Sequence, residues 1–479
     1  NSSGNAFYVA NQIAPIYPLF VRNADGSIRY DQNSGRPVYD YGDGKSTNNV
    51  RNFMNMSNPL SDLSYNTTEY LMDILNTKWY AEVTPFDGLK LTASYGVHID
   101  NTRYHDLGNK YYGQSASYGG TVYQSHDRMY AFNQQYLASY IKTFGKHNID
   151  LLAGYESYKR EGEDQYASGQ NIYKDYDFTV NNSIDQKRGG GSAYEYATQG
   201  FIGRVNYNWD EKYYGSFSYR RDASSVFHPD NRWGNFFSAS AAWLISKESF
   251  MEDVDWVDML KLKASFGEQG NDYLTYTDGY RNYIVYQDQY KMTGADGVFS
   301  DGTLTYKGNP DLTWEKSNAY NIGIDFDLFN HKLSGTFEYY GRKTSDMLYY
   351  KPVAASNGYS EIPMNIGSVL NSGIEVELNY QIMNRRNFNW DVFFNATTVH
   401  NEIKELHPDL KGEWISGNRI YKEGESMYNL YLVKYAGVDK TTGKALYHAF
   451  DVKYDDVTGE EISRTPCVTS DYNKATSTG

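Results

Sequence analysis

Six tyrosines stand at positions 273, 276, 280, 283, 286 and 290 inside one polar stretch. They are the side chains whose type and spacing come nearest to a binding device. A phenol ring stacks on flat apolar surfaces and carries a hydroxyl at its rim, which suits sugars and peptide backbones alike. Tyr280, Tyr283 and Tyr286 are therefore the candidate substrate contacts. The other reading of these rings is that they pack a large loop, which needs an apolar core of its own.

Groups spaced for covalent or metal chemistry are missing from the pattern. The nine histidines show no HExxH or other ligand spacing. Gly189-Gly190-Gly191 follows no buried strand and opens no amphipathic helix, so it does not read as a phosphate cradle. No G-x-S-x-G elbow presents a nucleophile. The acidic pairs Asp455-Asp456 and Glu460-Glu461, and Asp25 and Asp40 beside glycines, lack the full twelve-residue calcium loop and read as solvated charge. Cys467 is the single cysteine, which rules out a disulfide framework and a thiolate metal site. The expectation is no catalytic residue, no cofactor and no metal site: not an enzyme. A net charge of −14 excludes nucleic acid as the partner, because phosphate binding needs a basic surface.

The elements that must position the tyrosines are strands of one kind. Leu89, Leu91, Ala93, Tyr95, Val97 and Ile99 share one face of an extended segment, and Lys90, Thr92, Ser94, Gly96, His98 and Asp100 share the other. Segments of about ten such residues, rich in aromatics, suit strands that cross a bilayer at a tilt. With 49 tyrosines but a mean hydropathy of −0.70, no apolar run reaches the ~20 residues of a spanning helix. A barrel remains, since half of every strand and all its loops are polar. Six hairpins are expected: Lys78–Pro85 with Leu89–Asp100, Tyr130–Phe144 with His147–Tyr158, and Gly200–Trp209 with Tyr213–Arg221. Then come Phe236–Ile245 with Leu260–Glu268 across a connection with room for a short helix, Asn318–Phe329 with Lys332–Arg342, and Gly373–Met383 with Phe388–Val399. The links inside hairpins are short. Those between hairpins are long, about 101–129, 159–198, 222–235, 270–317 and 343–372, and read as irregular surface loops. Short turns on one side and long loops on the other is how outer-membrane barrels are built.

Two longer strings are more specific than the periodicity. The first is Arg221-Asp222-Ala223-Ser224-Ser225-Val226-Phe227, then Arg232-Trp233-Gly234-Asn235-Phe236, continuing through Ser238–Trp243 and Leu260–Gly267 to Gly270-Asn271. The second is Asn309-Pro310-Asp311-Leu312-Thr313-Trp314-Glu315-Lys316, with Asn321-Ile322-Gly323-Ile324-Asp325-Phe326 and Asn365-Ile366-Gly367-Ser368-Val369-Leu370-Asn371-Ser372-Gly373. Together, from about Asn5 to about Ala449, they resemble the SusC/RagA-type TonB-dependent outer-membrane transporters of Bacteroidetes. Phe237 departs from the proline common there. The resemblance implies a barrel of about 22 strands, of which residues 1–479 form a part, about twelve strands or more. It implies import of glycans or oligopeptides through the outer membrane of a Gram-negative cell. It also implies a SusD-like lipoprotein lid as partner, with Tyr280, Tyr283 and Tyr286 as candidate lid contacts, and the TonB complex, reached through a plug domain outside these residues. The residues of the strings themselves read mainly as scaffold: Gly215, Gly323 and Gly335 for close approach or bending, Trp243 and Trp314 as interface anchors.

The rival reading is a passive or structural barrel, porin- or adhesin-like, without energy coupling; a weaker one is a soluble carbohydrate-binding β-protein. With two open edges the segment is expected to be an internal piece, closed by material outside it. On the barrel reading Leu89, Tyr95, Phe201, Tyr207, Phe217, Leu262, Ile324, Phe337, Val376 and Val392 face lipid. Lys90, Arg204, Lys263, Asp325, Glu338 and Glu377 face the lumen. A one-residue slip would exchange the two sets.

Overall fold

The tight turns fix the frame. In this computed structural model, Asp87-Gly88 joins β1 (Thr67–Phe86) to β2 (Leu89–Gly108), and Gly145-Lys146 joins β3 (Thr121–Phe144) to β4 (His147–Ile172). Asp210–Lys212 joins β5 (Ser183–Trp209) to β6 (Tyr213–Ser224). Gly88 has φ +89°, and a Cβ there would lie 2.5 Å from the Ile141 carbonyl oxygen, so this corner admits no side chain. The link from β7 (Trp233–Leu244) to β8 (Val257–Asn271), expected to have room for a short helix, holds two single-turn 3₁₀ helices, Ile245–Lys247 and Ser249–Met251.

After a separate hairpin, β9 (Gln289–Ala295) with β10 (Val298–Tyr306), the long strands resume. They are β11 (Glu315–Leu328) and β12 (Leu333–Ser345), whose turn holds Phe329, Asn330 and His331 all at positive φ. A second small hairpin, β13 (Leu348–Pro352) with β14 (Glu361–Asn365), precedes β15 (Ser368–Arg385), β16 (Phe388–Thr397) and β17 (His400–Glu405). One antiparallel sheet runs β1-β2-β3-β4-β5-β6-β7-β8-β11-β12-β15-β16, with β17 also on β15. Beyond it lie β18 (Glu413–Ser416) with β19 (Arg419–Lys422), the short β20 (Leu432–Val433), and the sheet of β21 (Tyr435–Val438), β22 (Ala445–Tyr454) and β23 (Glu461–Thr469). The described residues are 6–32, 35–42, 50–51, 53–54, 57–276, 279–295, 298–454, 461–475 and 477–478. Among them no helix is long and apolar enough to cross a membrane.

All six hairpins are present, but the strands are longer than the alternation indicated. Much of 101–129 and 159–198, expected as loop, is strand, and 270–317 and 343–372 contain hairpins. A strand wetted on both faces keeps its ladder hydrogen bonds without needing an apolar stripe, so its extension is silent in the pattern. Cys467 sits in β23 opposite Ala449, and its thiol is free and exposed.

The chain divides into two compact units. The first is Asn1–Tyr80, Ser94–Gln134 and Ser157–Ala197. Its strand ends bury Leu107, Val122 and Ile172 together, with Phe178 against them. Asn58 caps α1 (Pro59–Tyr65), accepting from the Leu60 and Ser61 amides, while its Nδ2 donates to the Leu19 and Asp40 carbonyls at 2.9 Å each. The Arg36 guanidinium lies 3.4 Å from the centre of the Tyr111 ring and 3.4 Å from the Asp175 carboxylate. The second unit is Ala81–Ala93, Gln135–Glu156 and Thr198–Gly479. In it the two family-like strings meet: Trp314 packs on Phe227 and Phe236, both at 5.6 Å between ring centroids, and its indole N–H donates to the Arg232 carbonyl at 2.8 Å. Trp314 is only 7% exposed. It is thus a core residue, not the interface anchor the sequence suggested.

Candidate functional site

Two faces and one loop make up the candidate site. Register sets the faces. Leu262 pairs with Ile324, Ile324 with Phe337, and Phe337 with Val376, so four residues from four strands form one apolar row. Phe217 pairs with Val205 and Ala239, continuing an apolar face on β5–β7. Val392, opposite Tyr380, belongs to the same face of β16. Apart from Val376, which is half-buried, these side chains are exposed, as a face needs to be if it is to meet lipid.

One residue along each strand, the chemistry reverses. Lys263 Nζ lies 2.9 Å from Asp325 and 3.0 Å from Glu338, a three-strand ion cluster. Gly323 stands between them in the ladder, and a Cβ there would come within 3.0 Å of Lys263 Cε, so the glycine lets the lysine lie across. Gly335 is closely approached as well, whereas Gly215 has open space around its Cα. Arg204 pairs with Asp150 at 3.7 Å, and Asn206 donates to the same carboxylate at 3.0 Å while accepting from Ser216. Arg220 reaches Glu156 at 3.1 Å and Asp222 at 3.0 Å. Asn148, Asp150, Asn206, Ser216, Lys263 and Glu338 line a concavity of about 650 Å³ on this face. Most of its charges are paired and its amides and hydroxyls are plentiful. Such a surface hydrogen-bonds polar solutes or another polar protein surface and activates nothing.

The tyrosine stretch lies on the side of the sheet opposite the tight turns. Ser224 donates to Asp272 at 2.5 Å and Arg281 to the other oxygen of the same carboxylate at 2.9 Å, so the first string is wired directly into this loop. Tyr273 and Tyr283 lie under Arg281, at 5.0 and 5.3 Å from the guanidinium. Tyr286 meets His228 edge-on. Tyr276 donates to Gln289 at 2.8 Å and packs edge-on against Tyr306, which donates to the Val285 carbonyl at 3.0 Å. Tyr276 is thereby given over to loop packing. Tyr280 is 75% exposed, and Tyr283 and Tyr286 are half-buried.

At the turn side Trp209, Tyr213 and Trp243 form a row of rings, and Trp243 donates from its indole to Glu248 at 3.0 Å. Sequence spacing missed one group there: Asp258, Asp327 and His331 bring ligand atoms within 4.8 Å of one another. The His331 amide donates to Asp258 at 2.9 Å and its Nδ1 lies 2.5 Å from Asp327, which closes the turn by hydrogen bonds and holds the imidazole pKa above its ordinary value. Only the fold brings Asp258, some seventy residues away, to the turn. Of the acidic pairs considered for calcium, Asp455, Asp456 and Glu460 lie outside the described residues. Asp25 serves a turn by accepting from the Ser27 amide and hydroxyl, and Asp40 accepts from the Gly42 amide.

The family described as TonB dependent receptor-like, beta-barrel, matches residues 10–473. The chain belongs to that family. Its members are receptors and transporters, not enzymes. Among relatives, the receptor barrel is 28% identical over 402 residues to TonB-dependent receptor P3 of Formosa agariphila, covering 80% of this chain and 39% of that protein. It is 30% identical over 343 residues to TonB-dependent receptor SusC of Bacteroides thetaiotaomicron, covering 69% of this chain and 32% of that protein. The solved RagAB peptide transporter superposes with a TM-score of 0.76 at 25% identity, over 95% of this chain and 48% of that one. The receptor barrel thus spans less than half the length of each of these relatives. The SusC/RagA-type resemblance read from the two strings agrees with all three.

Proposed function

We propose that the protein is a TonB-dependent importer of oligomeric nutrients, glycans or oligopeptides, in the outer membrane of a Gram-negative cell. In this reading residues 1–479 are part of one barrel domain whose apolar row faces lipid and whose ion-paired face lines the path. A SusD-like surface lipoprotein covers the mouth, and the TonB complex supplies the energy. The observation that carries the proposal is the registered split between the Leu262–Ile324–Phe337–Val376 row and the Lys263–Asp325–Glu338 cluster. A two-faced sheet of this length has use for an apolar medium on one side and water on the other. The likeness to SusC and to the RagAB peptide transporter supports the import role and the lipoprotein partner. Tyr280, Tyr283 and Tyr286 are proposed to border the mouth and to touch the substrate or the lid.

The test is uptake of labelled oligomers by cells lacking the gene, complemented with wild type or with the Tyr280/Tyr283/Tyr286→Ala triple. The expected result is uptake that collapses when the membrane is de-energised and is restored by wild type. The triple should weaken binding on the order of a hundredfold, with weaker co-purification of the lipoprotein, at about 1 kcal/mol per ring. Uptake indifferent to energisation would favour the passive barrel. Unchanged uptake and lid binding in a well-expressed triple would leave the tyrosines as loop packing.

A further inference from the structure

Toward the ends of β1–β4 away from the tight turns, the aromatic residues change faces. Trp79, Tyr95 and Phe132 stack in a row across β1, β2 and β3, with centroids 6.3 and 6.5 Å apart, on the face read as meeting lipid. Tyr70, Tyr104 and Tyr123 each stand nine positions away along the same strands, and an odd count puts them on the opposite face. There they form a second row with Tyr166 of β4, with successive centroids 4.7, 5.8 and 5.9 Å apart. At this level the first face bears charge: Arg103 lies 3.7 Å from Asp73, and His105 lies 3.3 Å from Glu69. Charged pairs do not face hydrocarbon, so this level stands clear of the bilayer and the second row is no membrane girdle.

Gly190 of β5 shapes the end of this row. A Cβ there would lie 2.9 Å from Cε1, 3.0 Å from Oη and 3.1 Å from Cζ of Tyr166. A ring standing upright on β4 would hold its hydroxyl far from the next strand, so Tyr166 lies down across β5, over the glycine. The Tyr123 ring is within 15° of parallel to it. Tyr166 is 41% exposed and Tyr70 65%, with Tyr104 and Tyr123 half-buried between them. The glycine run at 189–191 thus gives one end of an open aromatic track the room to lie flat.

A pyranose lays the C–H face of its ring on an aromatic face and carries its hydroxyls at the rim. The spacing of the four tyrosines is close to the length of one hexopyranose unit, so successive units of a chain can meet successive rings. Beside the rings, Thr68 donates to Asp106 at 2.7 Å and Ser192 donates to Asp164. A carboxylate has about four acceptor positions, so each has capacity for further hydroxyls. A peptide finds less here: β2, β3 and β4 are hydrogen-bonded to a neighbour on both sides, which leaves no backbone edge to extend. Arg188 shares this face two positions from Gly190, and against the two carboxylates the balance stays negative, which disfavours an anionic chain. We propose that Tyr70, Tyr104, Tyr123 and Tyr166 form a stacking track for a neutral glycan of hexopyranose units, laid across the strands and hydrogen-bonded at its rim by Asp106 and Asp164. It rests on the import reading and narrows the substrate class to glycans.

The test uses the whole protein in lipid nanodiscs and titration calorimetry with maltohexaose, cellohexaose, laminarihexaose and mannohexaose, and with hexa-alanine. The expected result is binding of at least one hexasaccharide and none of hexa-alanine. Tyr123→Ala and Tyr166→Ala should each weaken the sugar about fivefold. Gly190→Val, which lifts the Tyr166 ring off the sheet without removing it, should do the same. Tyr166→Phe keeps the stacking face and should bind as wild type does. Heat-modifiable migration on gels, expected to match wild type in all four variants, keeps loss of binding apart from loss of fold. Failure of every hexasaccharide to bind, sugar binding indifferent to the three disruptive changes, or capture of hexa-alanine that they abolish would overturn the proposal. Uptake by cells carrying the same variants keeps the two readings apart. Energy-dependent import of glycans that none of the variants alters removes the track alone, whereas absence of any energy-dependent oligomer import removes the import reading.

Discussion

Trp314 shows how a residue's role can differ from the one its type suggests. A tryptophan at a strand end reads as a membrane-interface anchor, and Trp243 stays at the end of its strand beside the turns. Trp314 instead joins Phe227 and Phe236, residues 78 or more positions earlier, and bonds the Arg232 carbonyl. The string that contains it was legible as a family signature, but its partner was not, because nothing local marks a contact across the sheet. Trp314→Ala should cost about 3–5 kcal/mol, the usual loss for a buried large aromatic. Heat-modifiable migration on gels would read it as a drop in the unfolding temperature. Asp62 in α1 was equally invisible: burial pushes its carboxyl up to about 6 from 3.8, opposed by a hydrogen bond from the Asn58 backbone to that carboxyl. The protonated form is the one favoured in the fold. Its contribution is therefore full below about pH 4 and is lost as pH rises through about 6. Melting followed from pH 4.5 to 7.5 should show stability falling over that window in wild type, and Asp62→Asn should flatten the fall.

At the scale of the element, turns were read best and strand lengths worst. Asp87-Gly88, Gly145-Lys146 and Asp210–Lys212 join strands where the residue types demand it, because positive φ selects glycine and short polar side chains. The turn before β16 fell at Arg386-Asn387, its start two residues later than expected and its end unchanged, since four polar residues in a row leave its position open. Strand extensions and the hairpins β9–β10 and β13–β14 escaped notice because they lie where alternation lapses. Gly88→Val is the direct probe of a turn. It places a β-branched residue at φ +89° with its Cβ against the Ile141 carbonyl, and the strain should be about 1–3 kcal/mol or more. Refolding yield of the whole protein into detergent should fall sharply, while Gly145→Asn, at φ +58° with open space around it, should be tolerated.

For the whole molecule, a composition rich in tyrosine yet polar on average is reconciled by a sheet that shows each of its faces to a different medium. The sequence displayed this without any contact information, since a period of two needs no partner to be seen. The candidate site was less legible. Of six loop tyrosines, one is spent on packing, two lie under an arginine and another meets a histidine, and these arrangements depend on Ser224 and His228 arriving from the segment after β6. The central claim is that the Leu262–Ile324–Phe337–Val376 row meets lipid and the charged set meets water. Single cysteines carrying nitroxide labels at Leu262, Ile324, Phe337 and Val376, and at Arg204 and Glu377, can be compared in the whole protein reconstituted in liposomes. Relaxation by oxygen, which concentrates in the bilayer, is set against relaxation by a water-soluble nickel chelate. The account predicts strong oxygen and weak nickel relaxation at the first four positions and the reverse at Arg204 and Glu377; nickel access along the Leu262 row, with oxygen dominating at the charged positions, would contradict it.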